Sequence, residues 1–439
     1  MLSEITALIP TTLPDSAKPE DFSRVRKLPL QKLIVFLLSV TASGRHRGID
    51  GKSGEFFKQA RRSDLWPEAE AVHRSAVTKA RGKVPWEVLE AILDDAVRLA
   101  YQRWPDSPSS TWCGKTVIAF DGSKYTLPAS QVLRETFDPE SGLDSAGKGH
   151  YPQCLVSTAY DVFRRLPLAR TVVPIQEANE REQAKTLLPR IPNDAILLFD
   201  RGYPSFDFIQ TLDQEYNGFY LFRCPAKSTF PAVERFVQSG NAEEILWIDP
   251  SDSFLRRQSE SVRDPDAAKS LRAIRLESPD GTVSVLLTNL YEPVAFPAEK
   301  IIRLYFRRWA IESHYRDEKV FLDIETFHSR TVNSIRQELF AVLIMSVIAR
   351  LLMARDSGQS ATTTSTPQFK NAVMALASDI ALLAAERPQT AIVLFTELMR
   401  EIARVRYYPP KTPRPSRPRI CKKPVSKWQR ARVAKLAGA

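Results

Sequence analysis

Two short apolar runs that each stop on an aspartate constrain this chain more than any other feature. Residues 116–120, TVIAF, lead into Asp121 and Gly122; residues 195–199, AILLF, lead into Asp200, Arg201, Gly202 and Tyr203. Runs this short and this apolar, bounded by turn residues, read as buried strands rather than helices. In open α/β sheets, the carboxyl end of such a strand is where sites form. The chain must therefore build a covered sheet that brings two carboxylates to one edge of its core.

The intervening segments supply the sheet. Residues 154–162 and 166–174 read as two strands joined as a hairpin at 163–165, and residues 177–188 as a helix. A helix at 205–215 and a strand at 218–224 follow the second aspartate. Three strands, helix, strand, helix, strand is the order of a ribonuclease-H-like core: α/β, a mixed sheet with helices on both faces. Residues 129–150 form a polar loop with several glycines. Strand-like runs at 245–248, 271–276 and 283–289 make residues 226–290 a β-rich insertion.

The flanks differ. Residues 1–27 are polar and contain prolines, which predicts a loose start. Helical patterns near 30–40, 53–62, 71–82 and 86–104 are separated by turn residues such as Gly44, Gly48, Pro67 and Pro85. The middle pair and the residues just after carry Lys58, Arg61, Arg62, Arg74, Lys79, Arg81 and Lys83, a basic face suited to a helix-turn-helix-like DNA binder or to a solvated surface. Residues 356–367, DSGQSATTTSTP, read as a linker, followed by helices at 369–386 and 390–404. From Arg404 onward there are twelve Lys and Arg, no acid and many prolines, which reads as a disordered or weakly ordered basic arm. The expected division is an all-helical DNA-binding domain over 1–110, a catalytic domain over 111–355, and a helical, basic C-terminal region over 356–439.

The formal charge of the 439-residue chain is +11, and its pI is about 9.4. That balance favours a polyanionic partner, nucleic acid before membrane. The four cysteines, Cys113, Cys154, Cys224 and Cys421, form no CxxC pair, which argues against a zinc knuckle or disulfide framework and for reduced thiols in the cytoplasm. No signal-peptide pattern opens the chain, and the apolar runs at 33–40 and 339–348 are too short to span a bilayer.

Residues 305–319, YFRRWAIESHYRDEK, lie in a longer helix-favouring run that contains no Gly or Pro. At about 100° per residue, Tyr305, Arg308, Glu312 and Lys319 fall within roughly 60° of arc. Leu304 and Ile311 flank that arc on one side, and Phe306, Ala310 and Phe321 on the other. This predicts a largely buried helix with one polar seam, on which Glu312 stays ionised beside its cations. Asp317 and Glu318 lie off this face; His314 and His328 bracket it and could serve as metal ligand or base, but read as structural or solvent-facing. Asp121, Asp200 and Glu312 form an oxygen-only set suited to Mg²⁺ or Mn²⁺. Three carboxylates can hold two such ions about 3.5–4 Å apart for in-line phosphoryl displacement.

The spacing Y-x2-R-x3-E-x6-K, filled by Tyr305, Arg308, Glu312 and Lys319, resembles the signature of the DDE transposases of the bacterial insertion-sequence-four family. AFDGS at 119–123 resembles that family's first-aspartate strand, LLFDRGY at 197–203 its second, and a β-rich insertion before the glutamate is a family feature. The resemblance covers roughly residues 115–355. It implies a catalytic and metal-binding triad of Asp121, Asp200 and Glu312, with Mg²⁺ as cofactor and Mn²⁺ able to replace it. Tyr305, Arg308 and Lys319 would contact DNA phosphates, and Arg201 could contact phosphate or neutralise Asp200. Trp247 could stack a flipped base or serve as a core aromatic of the β module. The implied partners are double-stranded DNA, as terminal inverted repeats and target, and a second copy in a synaptic homodimer. The implied reaction is cut-and-paste transposition through a DNA hairpin, in a bacterial cytoplasm at the nucleoid. The rival readings are a non-catalytic DNA-binding descendant and a metal-dependent endonuclease without strand transfer.

Overall fold

The computed structural model describes residues 1–15, 18, 20–22, 27–42, 48–141, 151–258, 267–278, 281–359 and 365–408. The glycine-bearing end of the polar loop, part of the linker, and the basic arm beyond residue 408 lie outside the described residues.

Five helices come first: α1 (Leu2–Thr6), α2 (Leu30–Ala42), α3 (Ile49–Arg62), α4 (Arg74–Arg81) and α5 (Trp86–Arg103). In α5 the buried positions are Val88, Leu89, Ile92, Leu93, Ala96, Leu99 and Ala100, an i, i+3, i+4 stripe that fixes both its helicity and its inward face. The start of the chain is not loose as its composition predicts. Ile5, Leu8 and Ile9 are buried, and α1 packs on the 3₁₀ turn Ile380–Ala384. Three apolar side chains docking into a neighbouring core outweigh the polar composition around them.

The sheet contains β1 (Val117–Thr126), β2 (Gln153–Asp161), β3 (Leu166–Pro174), β4 (Ile196–Phe199) and β5 (Phe219–Pro225). Helices α6 (Gln131–Phe137), α7 (Glu180–Leu187) and α8 (Phe206–Glu215) lie between these strands. The neighbours run β3-β2-β1-β4-β5. The β1–β2 and β2–β3 pairs are antiparallel, and the β1–β4 and β4–β5 pairs parallel. This is the mixed, ribonuclease-H-like sheet expected from the element order. The β2–β3 turn is closed with Arg165 in the left-handed region, at φ +56°.

β1 departs from expectation. It does not stop at residue 120 but continues to Thr126, because its pairing with β2 holds from Ile118 opposite Asp161 to Thr126 opposite Gln153. Only the pairing with β4 stops, at Ala119 opposite Leu198. Asp121 therefore stands inside a strand, just where β1 parts from β4.

The next elements are α9 (Pro231–Ser239), β6 (Glu243–Ile248), α10 (Asp252–Arg257), β7 (Lys269–Glu277) and β8 (Val283–Thr288). β8 pairs antiparallel with β5, β7 with β8 and β6 with β7, so all eight strands form one sheet with β6 at its far edge.

Helices α11 (Ala298–Tyr305) and α12 (Trp309–Arg316) lead to α13 (Val332–Gln359), then to β9 (Thr366–Pro367), α14 (Phe369–Asp379), α15 (Pro388–Arg404) and β10 (Arg406–Tyr407). α13 is the axis of the molecule, packed against α2, α5, α14 and β3. The run read at 339–348 belongs to a longer apolar stretch, Val332–Arg355, long enough to cross a bilayer; 89% of its apolar window is buried inside the protein. Order also reaches past Arg404, since Arg406 and Tyr407 pair with Pro367 and Thr366.

Candidate active site

Asp121 and Asp200 meet because β1 and β4 are parallel neighbours. Phe120 and Phe199 stack with ring centroids 5.1 Å apart, and the residue after each is an aspartate. The Asp200 carboxylate accepts the Gly202 backbone N–H at 2.7 Å, a tight local turn; a Cβ on Gly202 would sit 3.2 Å from the same oxygen. The third carboxylate, Glu312, lies in the first turn of α12. Tyr315, one turn further on, anchors that helix to β1: its hydroxyl donates to the Asp121 carbonyl at 2.7 Å.

The helical run over 305–319 is not uniform. A 3₁₀ turn, Phe306–Arg308, separates α11 from α12, and a π turn, Asp317–Phe321, follows α12, with Leu322 N–H bonded to the Asp317 carbonyl at 2.9 Å. A 3₁₀ turn advances about 120° per residue, so three such residues shift the phase by about 60°. The expected buried helix with a single polar seam is therefore corrected: Phe306, Trp309 and Val320 are exposed.

The seam residues still converge. Arg308 is buried and donates from Nη2 to Glu312 Oε1 at 2.9 Å. Tyr305 is buried beside it, and desolvation raises its hydroxyl pKa, with Arg308 opposing. Lys319 donates to Ser123 Oγ and to the Lys124 carbonyl, both at 2.6 Å, and lies 4.4 Å from the Tyr125 ring centre. It thus sits two residues along β1 from Asp121.

Burial pushes the Asp121 carboxyl up to about 7, against the pull of Arg308, with Glu180, Asp200 and Glu312 adding to the rise. Asp121, Asp200 and Glu312 thus share one field around the Arg308 guanidinium, and Glu180 adds to it through Asp121 and Asp200. Glu180 is a site residue that sequence reading missed. It opens α7, capped by Asn179, and an acid in a first helical turn is ordinary. Only the fold shows its second role. Burial and then Asp200 raise its pKa, and its Oε1 lies so close to Gly122 that an added Cβ would approach it to 2.6 Å.

Arg201 is exposed beside Asp200. Trp247 is 63% exposed on the edge strand β6, so it is not a core aromatic; β5, β8 and β7 separate its strand from β4 and the carboxylates. Glu318 is buried and bound by Arg170 at 2.8 Å, with His314 Nε2 at 3.3 Å. Burial lowers the His314 pKa to about 4, which leaves a neutral ring stacked on Tyr160. His328 bonds Glu338, Asp207 bonds Lys185, and Asp194 pairs with Lys115.

The oxygen-only donors Asp121, Asp200 and Glu312, with Glu180 beside them, fit a hard divalent cation. The neutralising pressure on Asp121 fits as well, since a cation relieves what the neighbouring carboxylates impose. As placed, Glu312 is held by Arg308, and among the described residues no three His, Cys, Asp or Glu already form a metal-holding group.

The family described as "Transposase DDE domain" matches residues 112–348 of this chain. Over 285 residues the chain is 23% identical to "Transposase InsG for insertion sequence element IS4" of Escherichia coli (strain K12), covering 64% of this chain and 61% of that protein. The aligned region is therefore less than two thirds of that relative's length. A solved piggyBac transposase synaptic complex with hairpin DNA is similar at TM-score 0.44 and 13% identity, covering 94% of this chain and 84% of that one.

Proposed function

This chain belongs to the DDE transposase domain family, and from that premise we propose that it cuts and joins DNA by metal-dependent phosphoryl transfer at Asp121, Asp200 and Glu312. The observation that carries this reading is the shared field of these carboxylates around Arg308, at the point where β1 parts from β4. Bound Mg²⁺, or Mn²⁺ in its place, would activate a water or 3′-hydroxyl and stabilise the leaving oxygen. The remaining work belongs to the chain. Arg308, packed against Tyr305, offers a positive charge to the pentacoordinate phosphorus of the transition state, and Glu312 would exchange its bond to Arg308 for the cation. Lys319, steadied by Ser123 and the Lys124 carbonyl, holds a neighbouring phosphate. Arg201 is exposed to reach the backbone near Asp200.

The substrates in this reading are the terminal inverted repeats of an insertion sequence and a target duplex, brought together in a homodimeric synaptic complex at the bacterial nucleoid. Cut-and-paste through a DNA hairpin is the proposed route. The exposure of Trp247 leaves its face free for an extruded base, and its distance from the carboxylates within one chain suits a base some way from the scissile phosphate.

The test is cleavage of labelled DNA carrying the element's own end, with Mg²⁺ or Mn²⁺. Asp121→Ala, Asp200→Ala and Glu312→Ala should each abolish nicking and leave end binding intact, and a hairpin product should appear with the wild type. Tight end binding without cleavage by any protein would favour a DNA-binding descendant. Nicking without joined product would favour an endonuclease.

A further inference from the structure

A second cleft shares a wall with the carboxylate site. Ser313 and Arg316, on the helix that carries Glu312, and Asp317, at the start of the π turn after it, line a cavity of about 1320 Å³. The start of the chain, the end of α5 and the residues after it, the β2–β3 turn, the end of α13, β9, β10 and the start of α14 form the rest of its lining. Arg165, Arg316, Arg355 and Lys370 stand exposed around it, and none makes an ion pair among the described residues. Among the described lining residues the acids are Asp317, half-buried, and Glu4, which is bonded by Arg103 and the Met1 amino group.

At the floor lies Arg350. It is only 9% exposed, its guanidinium stacks 3.9 Å from the Phe369 ring centre, and among the described residues it has no hydrogen bond or ion pair. A buried guanidinium with no hydrogen-bonded anion is costly, and the Phe369 face and the nearby Asp317 charge offset only part of that cost. Burial lowers its pKa to about 10, against Tyr160 and Asp317 and with Arg165 adding to the fall, and the group stays charged at neutral pH. Such a group is held ready for an anion from outside. The cavity is far larger than one phosphate. Its cations are interleaved with Phe163, Phe369 and Tyr407, the mixture of charge and stacking faces that tracks a nucleic-acid strand.

We propose that this cleft seats the phosphodiester backbone of a DNA segment beyond the scissile phosphate, with Arg350 as its central contact. The inference rests on the DNA reading given under Proposed function. Ser313, Arg316 and Asp317 place the segment beside the catalytic helix, so the same strand could run from one site to the other.

The experiment titrates the full chain with a labelled duplex of arbitrary sequence over a range of salt, alongside thermal melting. Arg350→Met should melt at or above the wild type, because an unpaired buried charge is gone. It should also bind DNA more weakly, with a salt slope shallower by about one. Arg165→Ala with Arg355→Ala should lower the slope by about two. Arg350→Lys should restore most of the wild-type slope. Unchanged slopes in the Met and double-Ala variants, with metal-dependent nicking intact, overturn the cleft assignment and leave the function reading standing. Failure of the wild type to bind any duplex overturns both. If tripolyphosphate raises the melting temperature of the wild type but not of Arg350→Met, while the DNA slopes stay equal, the cleft is a small-polyanion site and the DNA assignment is wrong.

Discussion

Arg170 and Glu318 show how one buried pair fixes what surrounds it. The Arg170 guanidinium reaches both Glu318 oxygens at 2.8 Å and the Leu339 carbonyl at 3.0 Å; Tyr125 donates its hydroxyl to the same carboxylate. Four elements, β1, β3, the π turn and α13, are thereby joined next to the Lys319 anchor. Breaking a buried pair from one side leaves an uncompensated charge, typically at a cost of about 3–5 kcal/mol. Arg170→Met should therefore destabilise by about that much in urea unfolding, and adding Glu318→Met should recover a substantial part. Equal, additive losses in a double-mutant cycle would show that the two residues act independently. Neither residue looks special in sequence: Arg170 is one cation in an apolar strand, and Glu318 lies outside the seam that the four-residue spacing marks.

The sequence of α3 and α4 predicts one basic face, and the structure divides it. Lys58, Arg62, Arg74, Lys79 and Lys83 are exposed, while Arg81 is buried and bonds Gln337, Glu338 and the Ser334 carbonyl. Arg81 is a bolt between α4 and α13. Lys58→Ala and Lys79→Ala should each lower the salt slope of DNA binding by about one and leave the melting temperature near wild type. Arg81→Met should do the reverse, costing about 3 kcal/mol of stability with the slope unchanged, since it strands Glu338. The same lesson holds for the helix that carries Glu312. Period alone predicts one smooth helix; the 3₁₀ and π turns correct its phase so that Arg308 faces Asp121 and Lys319 reaches Ser123.

Over the whole molecule, buried carboxylates couple the fold to pH. Burial disfavours ionised Glu318, yet the Arg170 charge and the bonds from Tyr125 and Arg170 outweigh it and hold its pKa below the ordinary range. Burial likewise opposes Glu338, and His328 and Arg81 outweigh it. A carboxyl whose folded pKa is depressed contributes stability that is fully present above its unfolded value, about 4.3, and is lost as pH falls through the folded value. The urea midpoint should therefore fall as pH drops below about 4. The fall should be smaller in the Arg170→Met/Glu318→Met double variant. An identical acid profile in both proteins would show that these carboxylates do not govern it.

Legible in the residues alone were the succession of strands and helices along the chain, the two aspartates and the glutamate helix, because short-range patterns of apolar and turn residues fix strands and helices locally. The sequence also carried the family signature on Tyr305, Arg308, Glu312 and Lys319. Only the tertiary structure decided that β1 runs on past Asp121, that residues 1–9 are packed, and that Glu180 joins the acidic cluster. Trp247 on an exposed edge, and Arg350 stacked on Phe369 with no ion pair among the described residues, are likewise products of the fold. Each of these depends on which distant segment lies alongside, and a neighbour's desolvation or charge leaves no local pattern in the chain that receives it.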